Sequence, residues 1–276
     1  MAASPLGRIR RIGLRSLALG YLGLVLAAPL TLIFWRAFAD GFGAFWDAVS
    51  SPTAVHALWL TTQITLIAVP LNTLFGVIAA LLIVRRRVPG RTILTTLIDL
   101  PLALSPVVVG LSVVLVWGLR GWWGGWLAEH GVRVVFAMPG MVIATIIVCL
   151  PFVVREVVPV LREVGTDQEE AATVLGASSV QTFLRVTLPA IRWGVAYGVV
   201  LTTARALGEY GAVAVVSGRI QGTTQTLTLY VDDRHTSFDE VGAYGAAVVL
   251  ATLSLLTVLG MSLFRRGDDP AEGSDH

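Results

Sequence analysis

Arg205 and Glu209 stand four residues apart in an otherwise apolar run, LTTARALGEYGAVAVV. On a helix that spacing places both side chains on one face, within pairing distance. A charge in the middle of a membrane helix costs at least about 2.5–3.5 kcal/mol on insertion scales, so both residues must face protein or water. Two chemistries fit. Arg205 could help pass a dianion while Glu209 restrains it as part of a gate. Alternatively, the two form an internal ion pair that holds a helix bundle together, since a permanently paired Arg has little left to offer an anion. A second group, Asp99, Pro101, Ser105, Pro106 and Gly110, lies in an earlier apolar run. Two prolines five residues apart each remove a ladder hydrogen bond, which predicts a kinked or unwound segment. Its freed backbone and the Ser105 hydroxyl could meet an anion, or the kink could serve packing alone. Asp99 has the wrong sign for an anion ligand and reads as a structural hydrogen-bonding group near the cytoplasmic end.

Other chemistries are excluded by what the chain lacks. All 20 basic residues are Arg. Without Lys there is no Walker A contact to nucleotide phosphates and no amine for Schiff-base catalysis. The four His are scattered without metal-ligand spacing, and the single Cys149 in an apolar run reads as a buried, inert thiol. No Ser/His pair falls within a span to suggest a membrane protease.

The elements that must position these residues are membrane helices. Of 276 residues, 55% are hydrophobic and only 14% charged, against roughly a quarter charged in soluble domains. Six stretches are long and apolar enough to cross about 30 Å of hydrocarbon, near 17–39, 57–84, 94–118, 136–158, 190–217 and 242–264. The first follows RIRRIGLR, has the length of a span and lacks a convincing cleavage site, so it reads as an uncleaved first span. Fourteen Arg fall at the N-terminus, in the second-to-third and fourth-to-fifth connections and in the tail, against five in the other connections. The positive-inside rule then places both termini in the cytoplasm. Residues 1–56 are expected to form an N-terminal segment, first span and outer loop; 57–264 a core of the five remaining spans; and 265–276, GDDPAEGSDH preceded by two Arg, a disordered tail. Gly121–Trp126, GWWGGW, falls outside and reads as interfacial Trp anchoring. The outer 218–241 connection, with Asp232, Asp233, Arg234 and His235, is a better surface for an external protein.

The longest inner connection, GTDQEEAATVLGASSVQTFLRVTLPAIRW (residues 165–193), is polar, acidic and helical in character. Thr166 and Glu169 have capping-box spacing, and acidic residues fill the first turn as the helix dipole favours. Gly176 suits a helix stop, Ser178 or Ser179 can cap a second short helix, and Pro189 is expected to turn the chain into the fifth span. Val174, Leu175, Phe183 and Leu184 are expected to face protein, with Glu169, Glu170 and Arg185 in water.

The pattern Glu170-Ala171-Ala172, three residues, Gly176, nine residues, Val186, one residue, Leu188-Pro189 resembles the EAA motif of bacterial ABC-importer permeases, with Val186 where the family usually has Ile. Further stretches, IDLPLALSPVVVG, LPFVVREVVPVL and ARALGEYGAVAVVSGRIQGTTQTLTL, resemble the sulfate, thiosulfate and molybdate branch, and within it the W-type subunit. The resemblance implies an all-α polytopic membrane protein of the ABC transmembrane type-1 fold in a bacterial cytoplasmic membrane. It also implies a transport subunit, itself no enzyme, that binds neither cofactor nor metal nor nucleic acid. ATP and Mg would be bound by two separate ATPase subunits. The other partners implied are a second, T-type permease in a heterodimer and an extracytoplasmic sulfate-binding protein. Coupling to the ATPase is implied for the loop 166–189, at Glu169, Glu170, Ala171, Ala172, Gly176, Val186, Leu188 and Pro189. Translocation-path candidates are Ser105, Pro106, Gly110, Arg205 and Glu209. The alternative cargo is molybdate or tungstate. A self-sufficient secondary anion transporter would need an internal repeat and an ion relay, neither of which is evident.

Overall fold

A computed structural model describes the backbone of residues 5–86 and 89–266, with side chains described from residue 14 to 261 apart from 26, 87 and 88. The N-terminal Arg8, Arg10 and Arg11, the loop Arg87, and Arg265 and Arg266 lie outside the described side chains. Of the expected disordered tail, 265–276, the backbone of Arg265 and Arg266 belongs to the last helix, and residues from 267 onward lie outside the described residues. Among the described residues all regular structure is helical. Helix α1 (Pro5–Leu22) runs through a π turn, Gly23–Ala27, into α2 (Ala28–Ala37), and the apolar stretch Leu14–Ala37 forms the first span. None of its most apolar window is buried within the chain, so hydrocarbon or a partner must cover it. A short α3 (Gly41–Val49) leads to α4 (Pro52–Arg85), whose N-cap Ser51 accepts a hydrogen bond from the Ala54 amide, with Pro52 at the first helical position.

The third span is broken. α5 (Arg91–Ala103) and α6 (Pro106–Trp117) meet at 112°. Leu104 and Ser105 are both extended there, as sterics ahead of Pro106 favour for Ser105. After a short α7 (Gly124–Glu129) comes α8 (Met138–Val164). Ile98 of α5 clusters with Val154 and Val158 of α8, whereas Val109 and Val113 of α6 cluster with Ala144 and Val148. The two halves therefore occupy successive levels of α8 and advance along it as one interrupted span.

α8 is the central post. The glycines of neighbouring helices press on its Val153: an added Cβ at Gly76 would lie 2.5 Å from that side chain, and one at Gly198 would lie 2.8 Å from its Cα. Without a hydrophobic driving force in lipid, such small-residue contacts are what allow helices to pack closely. Val77, Ala80, Val157, Leu161 and Ile191 complete this core.

After α8 come α9 (Asp167–Val174) and α10 (Ser179–Thr182), which passes through a π turn, Phe183–Thr187, into α11 (Leu188–Leu207). Pro189 does not turn the chain. The helix is continuous from Ser179 to Leu207, and the Leu188 amide bonds the carbonyl of Phe183, five residues back. This widened turn accommodates a proline that supplies no ladder donor. The fifth span breaks instead at Gly208, and α12 (Gly211–Val216) follows as a separate helix. α13 (Leu227–Thr236) buries Tyr230 against Ala54, Ala57 and Ala246, and α14 (Glu240–Arg266) carries the last span.

Candidate coupling element and translocation path

The connection between α8 and α11 forms a hairpin of short helices. α9 ends in a Schellman arrangement: Gly176 is left-handed at φ 88°, its amide bonds the Thr173 carbonyl, and the Ala177 amide bonds that of Ala172. The next helix starts with a reciprocal capping box between Ser178 and Gln181. The expected box at Thr166 and Glu169 is absent. Thr166 makes no backbone cap and donates to the Glu170 carboxylate, because Glu169 is committed elsewhere.

The Arg85 Nε donates to both oxygens of Glu169, at 3.0 and 3.2 Å, and Thr187 Oγ1 donates to Glu169 Oε1 at 2.9 Å. The Arg85 terminal nitrogens donate to the carbonyls of Leu161 and Gly165. With side chains only 13% and 20% exposed, this pair contrasts with Arg155–Asp99, exposed 57% and 37%. An exposed pair of that kind contributes about 0–1 kcal/mol, so Arg155–Asp99 decides little beyond giving Asp99 the structural partner expected of it. Glu169, expected to stay in water, instead faces inward.

Ala171, Ala172, Val186 and Pro189, separated by up to 18 residues, line one open cleft of about 480 Å³ with Leu175 and Arg185. Val174 and Leu175 at the hairpin tip are almost fully exposed, and Leu184 is more than half exposed; only Phe183 packs inward, on the core around Leu161 and Ile191. Of the four residues expected to face protein, Phe183 does so within this chain, and Val174, Leu175 and Leu184 stay exposed among the described residues, open to another chain.

Arg205 and Glu209 form an ion pair, with the Glu209 side chain 1% exposed and that of Arg205 31%. They do not share one helix face, because Glu209 lies in the break after α11. Its Oε1 accepts from the Ala212 amide at 2.8 Å, supplying an acceptor to the first turn of α12, and its backbone carbonyl accepts from Thr228. Oε2 touches the guanidinium outside hydrogen-bonding angles. Gly110 is not laid open to a pathway: an added Cβ would meet the Ala212 carbonyl oxygen at 2.6 Å, so its role is close approach of α6 to α12. Pro106 makes the same kind of contact with Gly211, while Ser105 is exposed at the break and makes no side-chain cap.

At the opposite end of the bundle Arg36 pairs with Glu240, Arg219 with Asp232, and Arg234 with Asp239, while Gln221 donates to Asp233. Trp122, Trp123 and Trp126 are exposed, as interfacial anchors would be. Phe238, which no pattern in the sequence marks out, projects 92% exposed at φ 61° from the turn between α13 and α14, a backbone conformation that bulky residues rarely adopt.

A family model described as binding-protein-dependent transport system inner membrane component matches residues 72–267. The sulfate transport system permease protein CysW of Synechocystis sp. is 51% identical over 244 residues, 88% of this chain and 88% of that protein. The sulfate transport system permease protein CysT of Escherichia coli is 35% identical over 239 residues, 87% of this chain and 86% of that one. A solved bacterial alginate ABC transporter, in complex with alginate pentasaccharide-bound periplasmic protein, has a chain that superposes with a TM-score of 0.76 at 20% identity, covering 94% of this chain and 96% of its counterpart.

Proposed function

The chain belongs to the family of binding-protein-dependent transport system inner membrane components, and from that premise we propose that it carries sulfate and thiosulfate inward, driven by ATP hydrolysis in separate subunits. It has the all-helical fold of ABC-importer permeases and is a membrane transport subunit. Identity to a CysW protein well above that to a CysT protein supports the W-type role, with a T-type partner completing a heterodimer. Two ATPase subunits, which bind ATP and Mg, and an extracytoplasmic sulfate-binding protein complete the machine. Both termini face the cytoplasm, as the Arg asymmetry favours.

One observation carries the coupling assignment: motif residues far apart in sequence converge on the cleft of Ala171, Ala172, Val186 and Pro189, beside an apolar tip left exposed by the described residues. A subunit without a phosphate-binding loop can use ATP only by receiving mechanical work. The receiver must protrude, be stiff and be tied to the spans it moves, and the hairpin meets all three requirements. In the membrane, Ser105 at the break in the third span and the Arg205–Glu209 break in the fifth mark where a path would open. Glu209 serves there as a structural partner of Arg205 and α12, not as an anion ligand. The outer 218–241 connection, with Phe238 at its end, offers a surface to the binding protein.

The test is uptake of radiolabelled sulfate by the full importer in proteoliposomes. Ala171→Trp and Gly176→Pro are expected to abolish uptake and co-purification of the ATPase while leaving membrane insertion intact. Retained ATPase binding in both variants would overturn the coupling assignment. A chain that accumulates molybdate and ignores sulfate would overturn the cargo.

A further inference from the structure

We propose that Arg85 is the residue that transmits movement of the α9 hairpin to the membrane spans, which makes it a positioning residue for transport outside the recognised loop motif. The inference rests on reading residues 166–189 as the ATPase-coupling element. α9 is flanked by two glycines in the left-handed half of backbone space, Gly165 at φ 69° and Gly176 at φ 88°. Chain connectivity alone would leave a handle with a permissive joint at each end. Among the described residues, the side-chain hydrogen bonds that join α9 to the spans all run through Glu169, and Glu169 is held by Arg85 and Thr187.

Arg85 is the last residue of α4, so the tie reaches the second span directly. Its two terminal nitrogens reach the carbonyls of Leu161 and Gly165 at the C-terminal end of α8, where a helix leaves acceptors unpaired and a positive charge is favoured. Thr187, in the π turn at the base of α11, brings in the fifth span. One guanidinium thus joins the ends of α4 and α8 to the handle, and the carboxylate it holds reaches α11. The geometry is specific to Arg. Nε serves the carboxylate while the two terminal nitrogens serve different carbonyls, a planar fork that an ammonium on a single stem cannot reproduce.

The decisive measurement is sulfate transported per ATP hydrolysed by the complete, reconstituted importer, alongside co-purification of the ATPase. Arg85→Gln is expected to keep the ATPase bound and hydrolysing while uptake per ATP falls roughly tenfold, the order set by losing a charge-assisted hydrogen bond; Glu169→Gln, within the coupling loop itself, is expected to lower the same ratio. The double variant should be no worse than the poorer single one, because both remove the same link. Arg85→Lys, which preserves the charge and so favours assembly, should still lose most of the coupling. An unchanged ratio in assembled Arg85→Lys and Arg85→Gln would overturn the proposal, as would hydrolysis and uptake falling in equal proportion. Failure of the underlying loop assignment has a different signature, ATPase retention by Ala171→Trp.

Discussion

Two of the Arg–Glu pairs among the described residues, Arg205–Glu209 and Arg85–Glu169, do opposite things. Arg205 and Glu209 are four residues apart and stabilise a local interruption: the carboxylate supports the start of α12 and neutralises the Arg that precedes the break. Arg85 and Glu169 are 84 residues apart and join elements that the sequence separates, the ends of two spans and the α9 hairpin. The first pair is nearly sealed on its acidic side and spends a carboxylate oxygen on backbone. The second keeps both side chains partly exposed. A local pair maintains a shape; a distant pair can carry a displacement.

The largest expected effect tests the local pair. Glu209→Ala removes the acceptor for the Ala212 amide and leaves Arg205 without its partner, a change of about 3–5 kcal/mol for a broken buried pair. Assembled importer recovered from membranes should fall sharply. Glu209→Gln keeps an acceptor for α12 but not the charge, so its loss should be smaller. Normal assembly of both variants with altered uptake would mean that the pair is a gate, and the contrast with Arg85–Glu169 would collapse.

Gly110→Ala probes the packing beside that break. Its new methyl would face the Ala212 carbonyl oxygen at 2.6 Å, a backbone atom that cannot swing aside. Separating α6 from α12 should cost about 1–3 kcal/mol, typical of overpacking. The observable is a lower thermal midpoint of the detergent-solubilised complex with ATPase binding unchanged. An unshifted midpoint would show that the two helices are free to part there, and that Gly110 belongs to the moving path.

The two regions are unequally legible from sequence. Arg205 and Glu209 announce themselves by spacing, yet Gly208 and Glu209 end the helix that the spacing presupposes, so their contact can be read in advance and its geometry cannot. Pro101 and Pro106 give away the broken third span, because a missing donor and a forced extended residue act locally. The motif 170–189 identifies the handle for the same reason: Gly176 and Ser178 set a stop and a start through their own backbones. What stays hidden depends on tertiary partners. Glu169 looks like the third residue of a capping box until Arg85 arrives from another span and takes its carboxylate. Pro189 looks like a turn until the π helix before it absorbs the lost donor.

Thr187→Val gives the smallest effect and the finest discrimination between the two kinds of pair. Val nearly matches Thr in shape, so the core around Ile191 should keep its packing, while Glu169 Oε1 loses one donor and retains Arg85. A hydrogen bond to a partly buried carboxylate contributes about 1.5–3 kcal/mol at most, and the remaining bifurcated contact from Arg85 Nε offsets part of it. If the hairpin is tied to the spans by three independent arms, removing the arm to α11 should lower sulfate uptake per ATP by a few-fold and leave assembly untouched. The deficit should also vanish in a Glu169→Gln background, where the carboxylate is already gone. A deficit that persists in that background would locate the contribution of Thr187 in the packing of α11, and the tie would then run through α4 and α8 alone.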